Sequence, residues 1–162
     1  DSTISDNVAA TDGGGIHVDS HRRSTLDHVT IAGNAATSGR GGGLFARAVS
    51  SPKPTSMSAS LMADNVAASE PDCSADLVLA RAGNLVEDPS GCTVLSRPGS
   101  ALLSVDPLLG PLQDNGGSTE TRALGSGSPA LDVVTAKTGC KRPDQRGVAR
   151  ATPCDLGAYE AP

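Results

Sequence analysis

The sequence predicts an all-β protein, a parallel β-helix solenoid with a C-terminal cap. Three observations carry that prediction. First, a unit of alternating apolar and polar residues ending in asparagine recurs. It reads Ser2-Thr3-Ile4-Ser5-Asp6-Asn7-Val8-Ala9-Ala10, then Val29-Thr30-Ile31-Ala32-Gly33-Asn34-Ala35-Ala36, then Ser60-Leu61-Met62-Ala63-Asp64-Asn65-Val66-Ala67-Ala68. The asparagines at 7, 34 and 65 stand 27 and then 31 residues apart, a period that marks stacked repeats. Second, glycine triplets at 13–15 and 41–43 follow the first two copies, just ahead of Ile16 and Leu44. Third, the 162 residues include one Phe, one Tyr, no Trp, 19 Gly and 11 Pro. A globular core draws on large rings, whereas stacked repeats pack on their neighbours and manage with small residues. The regular spacing of aliphatic positions separates this chain from a disordered one of similar composition.

The elements follow in order. Ser2 to Ser5 and Leu26 to Ile31 approach strict alternation, as strands with one buried face do. The Asp-Asn or Gly-Asn that follows is turn chemistry, since Asn and Gly tolerate left-handed backbone angles. The triplets give a second sharp turn and let neighbouring backbones approach. Ile16-His17-Val18 and Leu44-Phe45-Ala46 are the next strands, with Ile16 and Leu44 equivalent. Stacked at about 4.8 Å, such coils place Ile4, Ile31 and Met62 in one interior file. Asn7, Asn34 and Asn65 then form a ladder in a turn; the competing reading is three turn asparagines in exposed loops. The stretches 19–24 and 47–58, the latter with Pro52 and Pro54, are variable surface loops of the kind that carries a solenoid's specificity.

Farther on, Cys73 to Leu79 reads as a strand, Gly83 to Val86 as a shortened coil and Ser90 to Leu95 as its return. The repeat is lost after residue 105. Residues 1–105 are therefore read as coils, the C-terminal end of a longer solenoid, because Asp1 opens inside a repeat. Residues 106–162 are read as the cap that covers the last coil's strand edges and apolar side chains. Within the cap, Ser128-Pro129 is suited to opening a helical turn, and Arg146 is placed to pair with Asp155.

Net charge is −5, and the 13 basic residues form no stripe, which disfavours nucleic acid as a partner. No apolar run approaches the length of a membrane-spanning helix. The cysteines at 73, 92, 140 and 154 include no Cys-x-x-Cys pair. An even count in such a chain favours two disulfides and an oxidising compartment. Of three pairings the local one, Cys73–Cys92 with Cys140–Cys154, is expected.

Several separated pieces carry a resemblance. They are Gly83-Asn84-Leu85-Val86, Ser90-Gly91-Cys92, Asp106-Pro107-Leu108-Leu109-Gly110-Pro111-Leu112, Asp114-Asn115-Gly116-Gly117, Gly127-Ser128-Pro129-Ala130-Leu131-Asp132, Asp144-Gln145-Arg146-Gly147 and Cys154-Asp155-Leu156-Gly157-Ala158-Tyr159-Glu160. Together they make residues 73–160 resemble the choice-of-anchor Q domain of bacteria. Residues 1–68 are similar to the repeats of right-handed parallel β-helix surface proteins, polymorphic outer-membrane proteins included. The resemblance implies a secreted or cell-surface bacterial protein, anchored through a signal absent from this chain. It transfers no catalytic residue.

Fold alone does not license an activity. The function expected is structural and adhesin-like, with a glycan or a surface protein as partner. The alternative is the C-terminal part of a carbohydrate-active enzyme, a polysaccharide lyase or glycoside hydrolase, with its catalytic coils upstream. The candidate ligand loop is His17, Asp19, His21, Arg22 and Arg23. His17 and Asp19 share a strand face, but the next coil offers Phe45 and Arg47 there, and no acidic stack. Asp6 and Asp64 fall two coils apart in turn positions, which argues against a glycosidase pair. No catalytic residue and no cofactor are assigned. Asp12, or the set Asp106, Asp114, Asp144 and Asp155, are candidates for structural Ca²⁺, though no Asp-x-Asp-x-Asp spacing supports them.

Overall fold

A computed structural model describes residues 1–19, 24–47, 54–81, 83–96, 101–137 and 139–162. Among these the regular structure is all β. The first tier holds β1 (Ser2–Ser5), β2 (Val8–Ala9) and β3 (Ile16–Asp19). The second holds β4 (Thr25–Asp27), β5 (Val29–Ala32), β6 (Ala35–Arg40) and β7 (Leu44–Arg47). The third holds β8 (Thr55–Ser58), β9 (Ser60–Ala63), β10 (Val66–Ser69) and β11 (Cys73–Ala80). A shorter tier follows, β12 (Asn84–Val86) and β13 (Gly91–Ser96), then β14 (Leu102–Leu103). An antiparallel pair, β15 (Leu109–Gln113) and β16 (Thr121–Leu124), comes last.

The tiers pair in parallel as three sheets. The first runs β1-β5-β9-β12-β14 and the second β2-β6-β10. The third runs β3-β7-β11-β8-β4, with β13 also on β11. In the third sheet β7 and β8 are two halves of one course, interrupted after Arg47. β11 spans both without a break, pairing with β7 through Cys73–Ala75 and with β8 through Val78–Ala80. Register keeps equivalent residues opposite each other. Ile4 lies opposite Ile31, Ile31 opposite Met62 and Met62 opposite Val86. Ile16 lies opposite Leu44 and Leu44 opposite Cys73.

Those side chains meet in one core. Ile31, Met62 and Val86 from the first sheet pack with Leu44, Met57, Cys73 and Val78 from the third. Every residue of β5 and β9 is buried, so the first sheet is covered on both faces. Because side chains alternate along a strand, Leu61 and Leu85 point away from that core. They join a second cluster with Ala130, Val134, Cys154 and Leu156. Burying each such leucine contributes about 1.5–3 kcal/mol.

Residues 106–162 supply the far side of that second cluster. They run along the first sheet instead of sitting on its last strand alone. Gly157 N–H donates to Ala59 O at 2.8 Å, and Ala158 N–H to Thr30 Oγ1 at 3.0 Å. Farther along, Thr3 Oγ1 donates to Gln145 at 2.8 Å, and Arg122 donates to Ser5 Oγ at 2.7 Å and Asp6 Oδ1 at 2.8 Å. Arg150, its side chain fully buried, pairs at 3.0 Å with both Glu160 and Asp1.

Two local expectations are corrected here. Arg146 pairs with Asp144 at 2.7 Å and stacks over Tyr159 at 3.8 Å, instead of pairing with Asp155. The tight turn at 144–147 puts the two partners side by side; Asp155 instead accepts the backbone N–H groups of Asp132 and Ala161. Ser128 accepts the Ala130 N–H, but the chain makes a turn and no helix, and Asp132 takes a left-handed φ of 55°. Both disulfides are present, Cys73–Cys92 and Cys140–Cys154.

Candidate ligand-binding face

Each repeated asparagine follows a residue in the left-handed region, Asp6 at φ 59°, Gly33 at 72° and Asp64 at 58°. That turn aims the amide along the stack. Asn34 Oδ1 accepts Asn7 N–H at 3.1 Å and Asn7 Nδ2 at 2.9 Å. Asn65 Oδ1 accepts the same two groups of Asn34 at 3.0 and 2.9 Å. Asp72 Oδ1 does this for Asn65 at 3.3 and 2.9 Å. A Cβ on Gly15 would lie 3.0 Å from the Asn34 amide, and one on Gly43 2.8 Å from Asn65 Nδ2. Glycine therefore stands wherever the next tier sends an asparagine past. Asp72 occupies the same column, ahead of Cys73 as Gly43 stands ahead of Leu44. The next tier has no asparagine there; its Asp88 N–H bonds the other Asp72 oxygen at 2.7 Å. Burial pushes the Asp72 carboxyl up, against the pull of these donors.

A second asparagine serves the opposite corner. Asn84 is buried; its Oδ1 accepts Ser60 N–H at 3.1 Å and its Nδ2 donates to Met57 O and Arg81 O. Sequence reasoning missed the part played by Asp72 and Asn84. The signal for Asp72 was its place in the glycine column; that for Asn84 was the Gly83-Asn84 pair, which repeats Gly33-Asn34, Gly83 taking a left-handed φ of 58°.

The outer face of the third sheet gathers part of the predicted ligand loop. His17 and Asp19 are both exposed on β3. The His17 ring lies 4.9 Å from Phe45, and its Nδ1 is 3.0 Å from Asp12 O. Arg40 lies over the Phe45 ring at 5.2 Å and reaches Asp12 at 3.6 Å. Asp19 is the strand partner of Arg47. His21, Arg22 and Arg23 lie outside the described residues, as does most of the loop after Arg47. The two turn aspartates stay turn residues: Asp6 is held by Arg122, and Asp64 is exposed.

Beside this group lies a cavity of about 300 Å³. Phe45 and Ser74 in its lining are buried, Arg47 and Asp76 exposed, and Glu70 half-buried. Glu70 Oε2 is shut off from solvent and has no hydrogen-bond partner among the described residues. Gly91 makes room for it, since a Cβ there would meet the Glu70 Cβ at 2.5 Å.

The candidate calcium ligands do not converge. Asp12 accepts Arg40 N–H, which with the Arg40 guanidinium holds its carboxyl below the usual range. Asp106 and Asp114 bond backbone N–H groups two residues on. Among the described residues no group of three or more His, Cys, Asp or Glu is arranged to hold a metal ion. Nor is any helix among them long and apolar enough to cross a membrane.

Among known proteins, the chain resembles the Chlamydia polymorphic membrane protein (Chlamydia_PMP) repeat, which matches residues 1–19. No curated protein and no solved structure matches the chain.

Proposed function

We propose that this chain is a surface-displayed bacterial β-helix, right-handed and closed, with a structural and adhesin-like role. The observation that carries the reading is the polymorphic membrane protein repeat at residues 1–19, continued in register by two further tiers. The two disulfides support an oxidising, extracytoplasmic setting. On this reading residues 1–105 are the coils. Residues 106–162 are a cap laid along their side, and 73–160 correspond to a choice-of-anchor Q region. Ligands meet the outer face of the third sheet and the stretches 19–24 and 47–54; Thr55–Ser58, expected as part of the second loop, form strand β8 with Thr55, Ser56 and Met57 buried. The first sheet is unavailable to them, because residues 106–162 cover it.

The asparagine file is assigned a structural role, holding tiers in register, and no chemistry. Acid–base catalysis needs its groups within reach of one substrate, and Asp6 is committed to Arg122.

The test is display and adhesion. The protein should be labelled by antibody on intact cells and released by brief protease treatment. Cells lacking it should adhere less to glycan- or protein-coated surfaces. Labelling only after cell lysis would sink the surface reading. Cleavage of a polyuronate by the purified protein would replace the structural role with the lyase alternative.

A further inference from the structure

We infer that the cavity on the outer face of the third sheet binds a neutral sugar residue, held chiefly by hydrogen bonds. This deepens the adhesive reading and rests on it. At about 300 Å³ the space is at the small end of ligand sites, enough for a sugar ring and too small for a peptide or protein element. A protein partner would meet only its rim.

The chemistry of the lining selects the ligand. Arg40 and Arg47 bring two guanidiniums; Glu70 and Asp76 bring two carboxylates; Ser74 and Thr93 bring hydroxyls. Arg40 is already paired with Asp12, so the lining has no excess positive charge and disfavours a polyanion. Planar groups that only donate stand beside planar groups that only accept. Adjacent sugar hydroxyls, which do both, can satisfy the two kinds together. A uronate would bring its carboxylate toward Glu70 and Asp76, on a chain that already carries a net −5.

Glu70 gives the site its direction. Its backbone takes a left-handed φ of 57°, and it bends across Gly91, where a side chain would collide with it. The result is a shielded oxygen, Oε2, with no donor among the described residues. A buried acceptor left unmet is unfavourable, and a rotation of the Glu70 carboxylate into the cavity brings Oε2 to a ligand hydroxyl. Phe45 is 5% exposed and lies under Arg40, so no sugar face stacks on it. Affinity at one site is therefore weak, and adhesion comes from many copies displayed together.

The test uses the 162-residue chain and two-dimensional NMR. Glucose, galactose, mannose, N-acetylglucosamine and lactose are titrated separately, with glucuronate as the charged control. At least one neutral sugar should shift the amides of Glu70, Ser74 and Thr93, with Kd on the order of 1 mM. Glu70→Ala and, independently, Arg47→Ala should each weaken it at least about tenfold. Arg47 is exposed, so its variant folds even if the change at Glu70 does not. No shift at those amides up to about 50 mM of every neutral sugar, tighter binding of glucuronate, or binding indifferent to both substitutions would overturn the site. Cell adhesion that survives both variants also overturns it while leaving the adhesive role standing; failure of surface labelling removes that role whatever the sugars do.

Discussion

Replacing Asn34 by alanine should be among the most damaging single changes in the repeats. The side chain is fully buried and takes part in four hydrogen bonds. It accepts two from Asn7 and donates to Ile4 O and Asn65 Oδ1, both at 2.9 Å. The Asn7 groups are exposed enough to turn to water, so their loss costs little. The bonds to Ile4 O and Asn65 Oδ1 are different, because alanine leaves each acceptor one donor short inside the protein, Asn65 Oδ1 keeping only the Asn34 N–H from that residue. At about 1–3 kcal/mol for each, with a further contribution from the space left by the amide, the cost is about 3–4 kcal/mol. Urea unfolding followed by far-UV circular dichroism and by the single tyrosine, Tyr159, reads it out. With a slope of about 2 kcal/mol per molar, the midpoint should fall by about 1.5–2 M. Asn7→Ala, at the exposed end of the file, should cost about 1 kcal/mol or less. A midpoint for Asn34→Ala within about 0.5 M of the parent, or equal costs at the two positions, would refute the reasoning.

Four further outcomes are expected. His28 is buried, and burial first, then Arg150, lowers its pKa to about 4. The unfolded chain takes up that proton near pH 6.5, so stability falls as pH drops from about 6.5 to about 4, by about 3 kcal/mol. His28→Asn, tolerant of the left-handed φ of 50° there, should remove that part of the slope; an unchanged slope between pH 7 and 4.5 counts against it. Gly43→Ala should destabilise by more than about 2 kcal/mol, since its Cβ would sit 2.6 Å from Asp72 O. Gly110→Ala, with no atom nearer than 3.5 Å, should cost less than about 1 kcal/mol. Leu61→Ala should cost about 2–5 kcal/mol and expose 106–162 to protease; protection equal to the parent's would mean that the outward face is not held by this packing. Intact mass should show four half-cystines, and reduction of the 14-residue Cys140–Cys154 loop should lower stability by about 3 kcal/mol. Four thiols alkylated before any reductant would contradict the disulfides.

Much of the architecture was legible because one demand repeats. Every tier needs a left-handed residue, a turn asparagine and close-packed glycines, so those residues recur at set offsets and the all-β class with parallel strands follows. The covering of the first sheet was harder to see. Its trace lay in Leu61-Met62 and Leu85-Val86, where two apolar neighbours break alternation, as strands buried on both faces do. Nothing local says which distant segment does the covering: Arg122 finds Ser5 and Asp6 from 117 and 116 residues away. The cavity was less legible still. Arg40, Glu70 and Gly91 come from three different tiers, and only the register of β7, β11 and β13 brings them together. His17 and Asp19, the candidates nearest in sequence, drew attention by their charge and spacing, while Glu70 looked like an ordinary residue between two strands.

The contact between Arg150 and Asp1 spans 149 residues, and it bears on how the molecule carries mechanical load. In a simple stack, tension at one end peels strands away one after another. Here a pull on Pro162 first meets the run from Arg150 to Glu160, which is stitched to Asp1, Thr30 and Ala59 together. The strain is shared across three tiers in shear, like a lap joint glued along its length. On the proposed surface role, that geometry would set rupture by the whole side seam and not by any single strand.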